Sequence, residues 1–229
     1  NEKPVLATIH GADVPLNHLE AWNALVCSLE NFSDAMGSEL RLIRSNFRVM
    51  LCEVLLDQCY KRSIMLNWYA GLGHGLALLS LCAPIAYVEK IGQFYIASSN
   101  SKHYPGIWGS NPQLDNNVEW TGTHVLHDAY ELSRQEKVKV LADYIKTTGH
   151  NVHLRSCFES NTGDNCNQCE KCARTIVGLE LEGINPNDCG FTVSANTFSV
   201  IKQKLLYDTL LDTDDPVMWE DIQYRARLD

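Results

Sequence analysis

The sequence predicts an α/β fold: a parallel sheet with helices on both faces, a metal-bound loop and a helical C-terminal segment. Three observations predict it. Short apolar runs alternate with segments whose apolar residues recur at helical spacing. Four cysteines crowd into residues 157–172, just after that alternation ends. The 229 residues are 45% hydrophobic and 21% charged, an ordinary globular balance, and are enough for one substantial core or for one domain plus a small appendage.

The elements follow in order. Residues 5–9 (VLATI) read as a buried strand running into His10-Gly11-Ala12-Asp13. Asn17, with Glu20 three residues on, marks a helix start, and Leu19, Trp22, Val26 and Leu29 then share one face. Residues 40–44 read as a second strand, and the helix after it carries Phe47, Leu51, Val54 and Leu55 on one side. Residues 74–88 are apolar nearly all round, which predicts a deeply buried helix. Ser80 and Pro84 interrupt this run, so no apolar stretch is read as reaching bilayer length. Residues 94–98 (FYIAS) give a third strand, followed by a loop over 99–117 rich in Ser, Asn, Gly and Pro. Ser133 with Glu136 forms a capping box ahead of a stripe of Val138, Leu141, Ala142 and Ile145. Residues 152–155 give a fourth strand, and Ser194 caps a last helix bearing Phe198, Ile201 and Leu205. Alternating strand and helix imply parallel pairing and right-handed crossovers. The predicted division is an α/β core over 1–156, a four-cysteine loop over 157–172, and C-terminal helices over 173–229.

Lys and Arg number 19 against 28 Asp and Glu, a formal charge of -9. That balance argues against a sequence-independent nucleic-acid binder, which needs a basic face. Much of the acidity is local: residues 205–229 hold Asp208, Asp212, Asp214, Asp215, Glu220, Asp221 and Asp229 against Arg225 and Arg227, as a solvated face would.

Nine cysteines and no leader do not fit a secreted disulfide framework. Cys27, Cys52, Cys59 and Cys82 sit singly in apolar helical contexts and read as buried, inert thiols. Cys157, Cys166, Cys169 and Cys172 have the spacing C-x8-C-x2-C-x2-C. Each C-x2-C step turns two thiolates toward one centre, and four soft ligands describe a closed structural zinc site. Lys171 and Arg174 stand ready to offset its negative charge. An iron–sulfur cluster and unliganded thiols are the alternatives; Cys189 is a bystander.

In an open parallel sheet, ligands bind beyond the carboxyl ends of the strands. Asp13, Ser45, Asn46, Ser98, Ser99 and Asn100 fall there, followed by Gly109, Ser110, Asn111, Asp115, His127 and Asp128. Turn and cap chemistry explains any one of them; their joint placement favours a site. His127 beside Asp128 has the composition of an acid/base pair, although adjacent side chains seldom face each other. Gly71-Leu72-Gly73-His74-Gly75 reads as close packing or a tight turn. Nucleophile-elbow, zincin and P-loop motifs are all absent from the sequence.

The run NCNQCEKCARTIVGL (165–179) is similar to the zinc motif of 7-cyano-7-deazaguanine synthase and its relatives, N-type ATP pyrophosphatases. IRSNFR (43–48), FYIASS (94–99), GSNPQLD (109–115) and VLHDAYELSRQEKV (125–138) resemble the body of uncharacterised members of that group. The likeness spans residues 5 to 179; the zinc motif is its specific part, and the rest is fold-level. It implies a three-layer parallel sheet of the adenine nucleotide alpha-hydrolase (HUP) type, with structural zinc, ATP and Mg²⁺. It further implies an ATP-dependent ligase: a small-molecule carboxylate or similar substrate is adenylated, pyrophosphate leaves, and a nitrogen nucleophile completes an amide or nitrile. Asp13, Ser45, Asn46, Ser98, Ser99, Asp128 and Arg134 become candidates for nucleotide or substrate contacts, with Lys137 and Arg174 beside Arg134 for phosphate or carboxylate groups. The expected setting is cytoplasmic, without nucleic acid or membrane, and a homodimer stays open.

One departure stands out. The family's Ser-Gly-Gly-x-Asp-Ser loop, which cradles pyrophosphate, is absent from these residues. In the family it precedes the strand at 5–9. Because the chain opens on Asn1 rather than Met, the expectation is that this loop lies outside the sequence, the alternative being a degenerate member.

Overall fold

The computed structural model of this chain describes residues 3–64, 66–157, 159–207 and 215–228. Asp208, Asp212, Asp214 and Asp229 of the acidic stretch lie outside the described residues. Packing divides the chain into two units that interleave in sequence. One holds Asn1–Pro4, His18–Glu39 and Arg134–Asp229; the other holds Val5–Asn17 and Leu40–Ser133. The four-cysteine loop and C-terminal helices thus share a unit with two helices that the sequence division placed in the core.

The second unit begins with β1 (Val5–His10), paired in a two-stranded sheet with β2 (Glu39–Arg44). The Glu39 amide donates to the Pro4 carbonyl at one end and the Ser45 amide to the His10 carbonyl at the other, so the strands run parallel. Gly11 makes the join possible. Its φ is +100°, and a Cβ there would collide with the Ser45 carbonyl oxygen. Gly11→Ala is therefore expected to cost about 3 kcal/mol or more in chemical denaturation. Gly37→Ala, also at positive φ but with nothing nearby, should cost only about 1 kcal/mol.

Short α2 (Phe47–Met50) and α3 (Glu53–Ile64) follow, then a π-helical turn over Tyr69–Gly73 that runs straight into α4 (His74–Val88). Turn and helix together make one 20-residue segment, Tyr69–Val88, which by length and composition can cross a membrane. The apolar run at 76–88, expected to fall short of bilayer length, is lengthened at its start by the π-helical turn. The expected deep burial is also only partial. Gly75, Leu79, Cys82 and Ala86 face inward, whereas Leu76, Tyr87 and Val88 are exposed. Val54 and Leu55, placed on one side of a helix with Phe47 and Leu51, are exposed too; Phe47 alone of that set is buried.

β3 (Gln93–Ala97), α5 (Pro112–Asp115), β4 (Glu119–Trp120) and β5 (Thr123–Asp128) complete the unit. The strand order is β3-β5-β4, with β3 parallel and β4 antiparallel to β5. Thr121 and Gly122 both take positive φ, as a tight hairpin turn between β4 and β5 requires. α4 serves both sheets. Leu79 packs on Ile96 and Val125, and Ala77, Leu78 and Leu81 pack around Ala12, Phe47 and Tyr69.

The first unit contains α1 (Leu19–Met36), α6 (Arg134–Thr148), α7 (Glu170–Leu181), α8 (Thr197–Leu206) and α9 (Asp215–Ala226). Its core joins Val138, Ala142 and Ile145 of α6 to Ala173, Ile176 and Leu179 of α7, then to Ile201, Trp219 and Ile222. α1 starts at Leu19 without a side-chain cap, so Asn17 and Glu20 do not form the expected box; Leu19 is exposed and Ala21 is buried. α8 starts at Thr197. Ser194 instead makes a turn in which the Thr197 hydroxyl accepts from the Ser194 amide.

Among the described residues the architecture is mixed α/β with two small sheets, rather than one continuous parallel sheet. Residues 152–155 form no strand: the backbone groups of Leu154 go to the Cys189 carbonyl and the Asn165 side chain rather than to a neighbouring strand. Cys27, Cys52 and Cys59 are exposed, against expectation; of the four lone thiols only Cys82 is buried.

Candidate metal centre

Four sulfurs converge in the first unit. The Sγ atoms of Cys157, Cys166, Cys169 and Cys172 all lie within 4.8 Å of one another, and no disulfide joins them. Cys166 and Cys172 are 3.9 Å apart, as are Cys157 and Cys169. A tetrahedral ion with metal–sulfur bonds of about 2.3 Å requires edges of about 3.8 Å. One ion fits that space, compatible with zinc. A cluster in which each thiolate takes its own iron needs more room.

The local backbone explains the convergence. Cys166 Sγ accepts from the amides of Gln168 and Cys169, and Asn167 sits at φ 60°, a left-handed position that Asn tolerates. This tight knuckle delivers the chain to Cys169, the N-cap of α7, and places Cys172 in that helix's first turn. The positive end of the helix dipole thus faces the thiolates.

Cys157 is set by Asn165, 6% exposed, whose side chain makes four hydrogen bonds. Its oxygen accepts from the amides of Ser156 and Cys157, and its nitrogen donates to the carbonyls of Leu154 and Gly190. Nothing in the sequence around Asn165 marks it for this role, since Asn is common in turns. Arg155 Nε donates to the Gly163 carbonyl, and Gly163 at φ +92° lies against Ala21 and Ala24 of α1. Asn165→Ala should cost at least about 3 kcal/mol in melting of the metal-loaded protein, because several buried groups lose their partners at once. Metal affinity should fall about tenfold to a hundredfold in a chelator competition.

The thiols differ when no metal is bound. Burial pushes Cys169 up to about 11, and burial with the neighbouring Cys169 thiol pushes Cys172 up as well. For Cys157 burial opposes ionisation, but hydrogen bonds from the Cys166, Ser160 and Glu159 backbone outweigh it and bring the thiol down to about 7. Cys189 is buried beside the cluster without joining it. Arg174 does not offset the thiolates as expected. It pairs with Glu170 one turn back, on the side of α7 away from Cys172.

The other candidates fall into separate groups. Asp13, Ser45 and Asn46 lie at the end of the β1–β2 sheet. Ser45 is engaged there, its amide bound to His10 and its hydroxyl accepting from the Phe47 amide. Beside them Arg48 grips Glu53 at 2.7 Å and lies 4.1 Å over the Tyr69 ring. Burial, then the Asp13 charge, pushes the Tyr69 hydroxyl up to about 12. Ser98, Ser99 and Asp128 lie at the end of β3 and β5, where the Ser98 amide donates to the Asp128 carbonyl. Arg134 opens α6 in the other unit.

His127 does not face Asp128. Along β5 the two alternate, His127 inward and Asp128 outward. His127 Nδ1 meets Asp115 Oδ2 at 2.7 Å, and the Ser110 hydroxyl donates to that same oxygen at 2.6 Å. α4 packs closely on this cluster: a Cβ on Gly75 would lie 2.6 Å from Asp115 Oδ1.

No family model, curated protein or solved structure matches this chain.

Proposed function

We propose that the four cysteines hold a structural zinc ion and that the chain is an ATP-dependent ligase-type enzyme built on it. The observation that carries the first half is the sulfur geometry: four thiols, sized for one tetrahedral ion, with no position left for a substrate. The second half rests on the motif resemblance around those cysteines. A HUP-type ancestry accords with the parallel β1–β2 and β3–β5 pairs.

In this reading Asp13 and Asp128 are the exposed carboxylates suited to Mg²⁺ or a ribose. Ser45, Asn46, Ser98 and Ser99 line strand ends as polar contacts, and Arg134 answers a phosphate or carboxylate. ATP with Mg²⁺ supplies the activating adenylyl group. The chain contributes positioning and charge. The substrate is a small carboxylic acid or a similar acceptor.

The test is acid-dependent pyrophosphate release from ATP and Mg²⁺ by zinc-loaded protein. A panel of acids that releases none, with melting unmoved by ATP, overturns the ligase reading.

A second reading, a catalytically incomplete nucleotide-binding or zinc-stabilised interaction domain, is favoured by a different observation. Val49, Met50, Val54 and Leu55 form an exposed apolar stretch on α2 and α3. ATP binding by calorimetry without turnover marks the first variant of that reading; collapse with chelator and indifference to ATP mark the second.

A further inference from the structure

The knuckle that carries Cys169 is held from outside the cysteine loop. The residues on either side of Cys169 each bind a C-terminal helix. The Gln168 carbonyl accepts from Lys204 Nζ of α8 at 2.9 Å, and Glu170 Oε1 accepts from the Trp219 indole N–H of α9 at 2.9 Å. The second bond is buried: Trp219 is 6% exposed and Glu170 9%. Arg174 Nη2 meets the other Glu170 oxygen at 3.2 Å, so this carboxylate is fixed from within α7 and from α9 at once.

α9 is itself firmly seated. Trp219 and Ile222 pack in one core with Ile176 and Leu179 of α7. Arg225 donates to Glu182 Oε1 and to the Leu181 carbonyl, both at 3.0 Å, where α7 ends. The first and last turns of α7 are thus tied to the same C-terminal helix.

These ties bear on how an ion would leave. A closed shell of four sulfurs exchanges its ion only when one sulfur swings away and a competitor enters. Of the four, Cys166 alone is partly exposed; Cys157, Cys169 and Cys172 are buried. Cys166 Sγ accepts from the Gln168 and Cys169 amides, so its departure disturbs the same short segment. Cys169 is the N-cap of α7 and swings only if its neighbours shift. Those neighbours are the residues that Lys204 and Trp219 hold.

We propose that Trp219, assisted by Lys204, is a positioning residue for the Cys169 ligand, so that the docked C-terminal helices lock the metal in place. The inference rests on the zinc half of the proposed function and is independent of the ligase half. Outer partners that orient a metal ligand are worth about tenfold to a hundredfold in metal binding. Undocking α9 opens the centre, which makes its release the step that loads or unloads the ion.

The experiment mixes zinc-loaded full chain with an excess of a chromophoric chelator and follows the rate of zinc release. Each protein is measured at the same interval below its own melting temperature. Trp219→Phe, which keeps a ring and loses the N–H, should bind one zinc and release it at least about tenfold faster than wild type. Lys204→Met, at the surface, should release it about threefold faster. Ile176→Val, on α7 in the same core, is the control for general loosening and should release zinc at the wild-type rate. Wild-type rates in both Trp219→Phe and Lys204→Met overturn the lock, as does equal acceleration by Ile176→Val. If Trp219→Phe does not fold, Lys204→Met decides alone. A wild-type chain that takes up no zinc removes the metal centre and the lock together; one that holds zinc while every variant matches it removes the lock only.

Discussion

Cys169→Ala and Cys172→Ala proteins are expected to bind no stoichiometric zinc and to lose the cooperative melting of the first unit. Wild-type protein stripped by a chelator should behave the same way. The magnitude decides the outcome. A structural zinc ion contributes about 10–16 kcal/mol of apparent binding energy at neutral pH, while a domain's net stability is about 5–15 kcal/mol. The sulfurs also belong to the core itself. Cys157, Cys169 and Cys172 pack in one cluster with Ala173, Ile176 and Leu179, so losing the ion loosens the same residues that bury α7. The pH dependence follows in sign. Each thiol must release a proton to bind metal, so the bound state lies below the free state in proton affinity. The stability it confers is present at high pH and lost as pH falls. Cys169, pushed up to about 11, releases its proton to solvent near neutral pH only when the ion displaces it, while Cys157 is near 7. Metal affinity should therefore drop throughout acidification and most steeply below about pH 7. Zinc content against pH, with circular dichroism alongside, measures both. A variant that keeps its zinc and wild-type melting would overturn the four-thiolate centre.

Asp115→Ala is expected to destabilise the second unit by about 3 kcal/mol, because it leaves two buried hydrogen-bonding partners unpaired at once. Asp115 and the His127 side chain are 0% and 1% exposed, and the substitution strands both His127 Nδ1 and the Ser110 hydroxyl. His127→Ala should cost about as much, because it leaves a carboxylate buried. The two losses should not add, and a double-mutant cycle in urea reads their coupling directly. Ser110→Ala removes one neutral donor and should cost only about 1 kcal/mol. A loss below about 1 kcal/mol for Asp115→Ala would mean the cluster opens to water, since exposed ion pairs contribute little. Ser110 and His127 both bind Asp115 Oδ2, while Asp115 Oδ1 is buried without a hydrogen-bond partner, and the cluster fastens the long loop to β5.

Several elements were legible in the sequence for clear reasons. The C-x2-C spacing fixes where thiols point over a few residues, so the sulfur cluster was read residue by residue. The strands at 5–9, 40–44 and 94–98 were short apolar runs and formed within a residue of expectation. β5 was missed because its inward positions include Thr123 and His127, whose burial depends on partners far along the chain. Residues 152–155 had a strand's composition, but their backbone groups went to Asn165 and Cys189. α4 looked like a core helix because its apolar residues surround it. Composition alone does not say that neighbours cover only one side. Asp115, Ser110 and His127 were marked as site candidates, but pattern reading set them on a rim, where the fold buries them together.

Trp219 links the far end of the chain to the sulfur cluster. Its indole N–H is bound to Glu170, the residue after Cys169. Arg225, on the same helix, grips Glu182 at the other end of α7. The fluorescence of Trp219 should therefore report on the order of the first α7 turn, giving a built-in optical gauge of metal occupancy. Its signal is isolated from the other four tryptophans by subtracting the spectrum of Trp219→Phe.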